Sequence, residues 1–215
     1  MNASDGSDRD CRSEEKSDGN GATIEAAAMK VWLLPFLLVA TVAVTSVGAA
    51  PDLAGKADVL DGDTLTLPGM RVRLKAIDAP ETDQLCLTSA GECWRCGLEA
   101  SQRLAEKIGT GSVACTSTGT DRYGRALAYC KLGDVDLNAW MVREGLALAF
   151  TRYSHRYDGD EAGARESRRG LWAGAFIAPW NWRDRSKATV IIGAEAVPLK
   201  GRALLLRNAP DAACR

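Results

Sequence analysis

The chain has 215 residues, enough for one domain of ordinary size plus tails, and a formal net charge of −1. The charge is uneven: residues 1–28 hold seven acidic and three basic side chains, and everything after Ala49 sums to about +2. A mildly basic folded part is compatible with a polyanionic substrate without requiring one, and a lone histidine, His155, argues against an imidazole-rich metal centre.

Residues 1–28 are rich in Ser, Asp, Gly and Glu, have almost nothing to bury, and are expected to be a disordered leader. Met29-Lys30, the apolar run Val31 to Val44 and the small residues Val47-Gly48-Ala49-Ala50 then have the layout of a secretory signal over 29–49. Cleavage is expected after Ala49, since a cut after Ala50 would put Pro51 directly behind it. A start at Met29 would leave the leader untranslated. The rival reading is an uncleaved membrane anchor, weakened by Pro35 and by the short apolar core. The expected location is therefore secreted or periplasmic, with membrane contact only through the signal or such an anchor. A folded domain is expected over 50–183 and a tail of undecided structure over 184–215.

Within the domain, Leu60 to Glu81 reads LDGDTLTLPGMRVRLKAIDAPE. Asp61-Gly62 suits a type I′ turn, whose central residues need positive φ, and Pro68-Gly69 is a second turn signal. Leu65 and Leu67, then Met70, Val72 and Leu74, alternate with polar residues as half-buried strands do, and Pro80 ends the last strand near Asp78. The expected unit is a three-stranded meander that places Asp63, Asp78 and Glu81 close to Arg73. Singly, each charged residue reads as ordinary strand or turn surface. Together they suit a divalent cation and a phosphate.

A loop, Thr82 to Arg95, carries a cysteine cluster, and a helix is expected over Gly97–Ile108 with Leu98, Leu104, Ala105 and Ile108 on one face and Gly109 as its stop. Val113–Thr116 and Arg125–Leu132 read as an antiparallel strand pair. Helices follow at Leu137–Glu144, capped by Asp136 and ended by Gly145, and at Asp160–Arg169, closed by Gly170. Trp172, Trp180 and Trp182 are expected to pack against the domain and not to stack on bases. Beyond Asp184, Val190-Ile191-Ile192 and Leu204-Leu205-Leu206 show no clear periodicity.

Of seven cysteines, Cys11 precedes the signal, and the remaining even set of six points to disulfides in an exported domain. Cys115 and Cys130 fall at the same level of the strand pair, which makes a cross-strand bridge geometrically reasonable. A redox or zinc reading of Cys93-Trp94-Arg95-Cys96 lacks a second CxxC.

The 60–81 segment resembles the opening motif of the staphylococcal nuclease (thermonuclease) family, and Asp121-Arg122-Tyr123-Gly124-Arg125 resembles its second motif. The match continues through Asn138 to Leu146 and ends near Gly170-Leu171-Trp172, covering roughly Ala57 to Trp182. The resemblance implies an α+β fold, a five-stranded OB-type Greek-key barrel with three α-helices, and a phosphodiester hydrolase acting on DNA and/or RNA. A monomer is expected, with no stable protein partner inferred. It also places cysteines as at Cys86 and Cys96, suggesting that bridge and leaving Cys93 and Cys214 either paired or free.

Calcium suits a site that offers carboxylates and almost no imidazole, with Asp63 and Asp78 as natural ligands. The resemblance adds the backbone carbonyl of Ala79, where threonine is commoner in the family. It also gives Glu81 the attacking water, Arg73 and Arg125 the phosphate, and Tyr153 a substrate contact, with Thr151 standing where a second tyrosine is often found. The arginine forks can make paired hydrogen bonds to phosphate oxygens. The lysine-bearing loop of the best-known members is replaced by the cysteine loop. The side chains of Glu81, Arg73 and Asp63 are expected to ring an exposed cleft and not to fill the core. The alternative is a non-catalytic nucleic-acid- or protein-binding module, but such domains typically lack the acidic cluster or the arginines that this chain retains. One conflict stands: a two-residue Pro68-Gly69 hairpin pairs Asp63 with Leu74, which puts Asp63 and Arg73 on opposite faces unless a bulge or a turn displaces Asp63.

Overall fold

The computed structural model describes residues 52–186, 188–206 and 214. The leader, the signal segment and the expected cleavage point lie outside the described residues. The first strands are β1 (Leu53–Lys56), β2 (Asp58–Asp61), β3 (Thr64–Leu67) and β4 (Met70–Leu74). The meander is β2–β3–β4, and Leu65, Leu67, Val72 and Leu74 are all buried as their alternation requires. Met70 departs from it: opposite Leu67 at the mouth of the Pro68-Gly69 turn, it is 38% exposed. Gly69 takes φ 78°, the conformation that this turn assigns to glycine.

The strand breaks at Lys75-Ala76, where Ala76 adopts φ 66°, and β5 (Ile77–Asp78) leaves in a new direction. Asn138, fully buried, braces the break: its amide donates to the carbonyls of Lys75 at 2.9 Å and Ala128 at 3.2 Å. The cysteine loop forms a small hairpin, β6 (Cys86–Leu87) with β7 (Cys93–Trp94). Helix α1 (Cys96–Ile108) follows, with Gly109 as its stop. Its buried face is Cys96, Gly97, Ala100, Leu104 and Ile108; Leu98 is half-buried and Ala105 exposed, so the expected face is rotated onto the 96-100-104-108 line.

Next come β8 (Ser112–Thr120), β9 (Ala126–Leu132), β10 (Val135–Asp136) and α2 (Leu137–Arg143), where the Asp136 carboxylate accepts from the Ala139 N–H at 2.9 Å. Then follow β11 (Leu148–Ala149), α3 (Asp158–Glu166), β12 (Phe176–Ile177), α4 (Pro179–Trp182), β13 (Ile191–Ile192) and α5 (Leu199–Leu206). The expected helices are thus α1, α2 and α3, and α4 and α5 lie beyond them.

The main sheet runs β1-β8-β9-β4-β3-β2 with β10 on β9, and it curls into a half-barrel. This is the expected α+β, OB-type arrangement, with β1 and β10 bringing its strands to seven. Its core packs Leu65, Leu74, Val113, Cys115, Cys130, Leu104 and Met141 between sheet and helices. A second cluster gathers Leu85, Leu87, Ile177, Trp182, Val197, Leu205 and Cys214, so the segment beyond Asp184 returns to cover the cysteine hairpin. Disulfides join Cys115–Cys130, Cys86–Cys96 and Cys93–Cys214, with Cα separations of 4.0, 5.7 and 5.2 Å. Among the described residues no helix is long and apolar enough to cross a membrane.

Candidate active site

The register conflict resolves in the turn between β2 and β3. Asp63 does lie opposite Leu74, whose N–H donates to the Asp63 carbonyl at 2.8 Å. It sits in the turn, however, beyond the last regular pair Thr64–Arg73, and β2 carries a register shift between Val59 and Asp61. Freed from the pleat, its carboxylate pairs with the Arg73 guanidinium, and its second oxygen accepts from the Ala79 N–H at 2.8 Å. Gly62 does not take positive φ, so the turn is not type I′. Its missing side chain serves close approach: a Cβ there would lie 2.6 Å from the Ala79 Cβ. Gly97 acts alike at the start of α1, where a Cβ would sit 1.6 Å from the Glu81 carbonyl oxygen.

Arg73 also reaches Asp78, with Nη2 2.5 Å from Oδ1, so one guanidinium bridges both carboxylates. Arg125 arrives from the second motif because β4 and β9 run parallel, with Val72 opposite Ala126. Its Nε donates to Asp121 Oδ2 at 2.8 Å, and its Nη1 lies 3.5 Å from the Thr64 hydroxyl beside Asp63. Asp61, Arg73, Asp78, Glu81, Arg125 and Tyr153 all line one open cleft of about 850 Å³. Asp63 and Ala79 lie behind it.

The expectation that Glu81, Arg73 and Asp63 ring an exposed cleft holds for Glu81 and Arg73, which line it, but fails for Asp63, and Asp78 is buried as well. Asp63 is 1% and Asp78 3% exposed, because the turn is pressed onto α1 and Ala79 through Gly62. Burial, the largest influence, drives the Asp63 carboxyl well above the usual range, against the pull of Arg73, with Asp61 and Asp78 adding to the rise. Burial raises Asp78 too, opposed by Arg73 and Arg183. The folded state therefore binds a proton at Asp63 at a pH where the unfolded chain, with a carboxyl pKa of about 3.9, has released it. The stability contributed by this group is present in acid and is lost as the pH rises through its folded pKa. Asp121 is the contrast: burial works to raise it, but hydrogen bonds from Arg125 and the Tyr123 N–H outweigh that and lower it. In a carbon-detected NMR titration of the cation-free protein, Asp63 should protonate at clearly higher pH than Asp121. Coincident midpoints would remove the burial argument.

Among the described residues no three His, Cys, Asp or Glu side chains gather as a metal-binding group. A cation at this site would draw on two carboxylates, a backbone carbonyl and water. That all-oxygen set suits a hard ion, and the two desolvated aspartates are groups that an adjacent positive charge would hold ionised.

Several residues of the cleft escaped the sequence reading, Arg183, Trp180 and Phe150 among them. Arg183, just after α4, donates from Nε to Glu81 Oε1 at 2.5 Å and from Nη2 to Asp78 Oδ1 at 2.9 Å. Trp180, expected to be packed away, is 37% exposed and lines the cleft with its ring 5.4 Å from Phe150. Trp182 meets the packing expectation at 3% exposed, its indole N–H donating to Asp83 at 3.2 Å.

Carboxylates and guanidinium groups gathered at the cleft of an OB-type half-barrel define a phosphodiester hydrolase, whose chemistry needs both phosphate neutralisation and control of a water. Residues 71–174 match the family described as staphylococcal nuclease homologue. A micrococcal nuclease of Shigella flexneri is 38% identical over 167 residues, which cover 69% of this chain and 90% of that one. The succinoglycan biosynthesis protein ExoI of Rhizobium meliloti (strain 1021) is 36% identical over 128 residues, 58% of this chain and 67% of its own. An uncharacterized endonuclease of Haemophilus influenzae is 29% identical over 177 residues, 79% and 93% of the two chains. The chain belongs to the staphylococcal nuclease family.

Proposed function

We propose that this protein is an exported, calcium-dependent nuclease that hydrolyses phosphodiester bonds of DNA and/or RNA. The observation that supports this most directly is the convergence of Asp78, Glu81, Arg73 and Arg125 on one cleft from segments about fifty residues apart, with Asp63 directly behind. The Glu81 carboxylate, at the cleft surface, accepts a hydrogen bond from the attacking water and takes its proton as the new P–O bond forms. Each guanidinium carries five N–H donors, so Arg73 and Arg125 can keep their aspartate partners and still present donors to the non-bridging oxygens as charge builds there. The bond to the leaving sugar oxygen breaks, and that oxygen is protonated from solvent. Asp63, Asp78 and the Ala79 carbonyl would hold calcium, which when bound supplies further positive charge beside the phosphate. Tyr153, 69% exposed, together with Phe150 and Trp180, offers ring faces to bases in the same cleft. Export is supported by the signal layout before Ala50 and by the three disulfides.

One experiment covers these points. Protein recovered from the medium or periplasm should begin at Ala50 and digest single- and double-stranded DNA and RNA in calcium, and a chelator should abolish digestion. Intact nucleic acid in calcium would exclude the hydrolase and favour a binding module. Digestion unchanged by chelator would exclude the cation, and recovery of the uncleaved chain in membranes would exclude release.

A further inference from the structure

We infer that Arg183 is a positioning residue for the Glu81 carboxylate, an inference that rests on the reading of Glu81 as the group that handles water. Arg183 lies outside the 71–174 stretch matched to the family and 102 residues from Glu81. Its planar fork spans two acids at once: Nε meets Glu81 Oε1 at 2.5 Å, and Nη2 meets both Asp78 oxygens, at 2.9 and 3.2 Å. A lysine ammonium has no such fork.

Both ends of this contact are held by further contacts. On the Glu81 side, the buried Gln84 accepts from the Glu81 N–H through Oε1 at 3.3 Å, and its Nε2 donates to the Ile177 carbonyl at 2.7 Å. On the Arg183 side, Trp182 is buried and tied to Asp83, while the Arg185 guanidinium lies 3.7 Å from the Trp182 ring centroid and donates to its carbonyl at 2.9 Å. The loop 81–84 and the segment 177–185 are thus locked together, and Arg183 joins them at the cleft, where Glu81 and Trp180 also lie.

The consequence is orientational. A glutamate on a surface loop samples several rotamers, and only one of them can meet a water aligned for attack. Held by Arg183, the Glu81 carboxylate keeps one orientation, and the positive fork also separates it from the neighbouring Asp78. The segment beyond the family match therefore completes the site.

The test is kinetic and uses the full chain in saturating calcium with a single-stranded oligonucleotide. Arg183→Ala should lower kcat by about 10–100-fold, the usual effect of losing a group that orients a catalytic one, with KM and melting temperature little changed. Arg183→Lys keeps the charge without the fork and should stay closer to the alanine variant than to the parent. In a Glu81→Gln background, adding Arg183→Ala should cost nothing more, because its effect passes through Glu81. An Arg183→Ala enzyme with parental kcat, a loss confined to KM, or losses that multiply in the double variant would each overturn the proposal while leaving the role of Glu81 intact. If Glu81→Gln alone turns over like the parent, the reading beneath the proposal fails with it.

Discussion

Glu81→Gln should lower turnover by about 10²–10⁴-fold, the range for a general acid–base group, without moving the melting temperature. Its side chain is half-buried and its partner Arg183 is the more exposed of the pair, so removing its charge strands no buried partner. Arg73→Ala should cost about 10²–10³ in turnover, as loss of a preorganised charge-stabilising donor does, but its stability signature differs. Arg73 bridges Asp63 and Asp78, both nearly inaccessible, and its loss takes the guanidinium from the desolvated Asp63 and leaves Asp78 to Arg183. Removing one partner from a buried pair typically costs about 3–5 kcal/mol. Arg73→Ala should therefore melt well below Glu81→Gln, and calcium should restore much of that difference by binding the folded state. Turnover measured where chemistry limits the rate, with melting curves in calcium and in chelator, checks both. A folded Glu81→Gln enzyme with parental turnover would overturn the assignment of the water to Glu81. An Arg73→Ala protein that melts like the parent in chelator would show that the aspartates do not need their counter-charge.

The parts of the site legible in sequence are those whose signals are local. Pro68-Gly69 set the hairpin register, alternation named Leu65, Leu67, Val72 and Leu74 as core, and Asp136 marked the start of α2. Cys115 and Cys130 could be paired because both strands of their ladder were recognisable. What escaped depends on contacts distant in sequence. The burial of Asp63 follows from α1 pressing against the β2–β3 turn, and no pattern around Asp63 carries that. The break at Ala76 puts a non-glycine residue at positive φ, held by Asn138 from sixty-three residues away. Arg183 follows a helix of four residues, too short to show a period, and reads as one more surface arginine until Trp182 and Gln84 fix its segment against the Glu81 loop. The same distance hid the cover over the cysteine hairpin, since Ile191, Val197 and Leu205 share no strand or helix face that a window would detect.

Opening the Cys93–Cys214 bridge should be among the most destabilising changes available to this chain. In the chain-entropy account a disulfide acts on the unfolded state, by about 3 kcal/mol for a 15-residue loop and about 4.7 kcal/mol for one near 100 residues. The separation is 15 for Cys115–Cys130 and 121 for Cys93–Cys214, and closure of the first shortens the second only modestly. The long bridge also holds Cys214 in the cluster with Leu85, Leu87, Trp182 and Leu205, beneath the segment that carries Arg183. Alanine at both Cys93 and Cys214 should lower the melting temperature by about 9–19 °C, at roughly 2–4 °C per kcal/mol for a chain of this size. Alanine at both Cys115 and Cys130 should lower it by about 6–12 °C from loop entropy, plus the packing lost where both sulfurs are fully buried in the barrel core. Non-reducing peptide mapping of the parent should recover the 93–214 and 115–130 pairs, and thermal unfolding of the two double variants should give these shifts. Parental melting in the Cys93→Ala/Cys214→Ala variant would mean that the tail contributes nothing through its tether, and free Cys115 in the folded parent would remove the second bridge altogether.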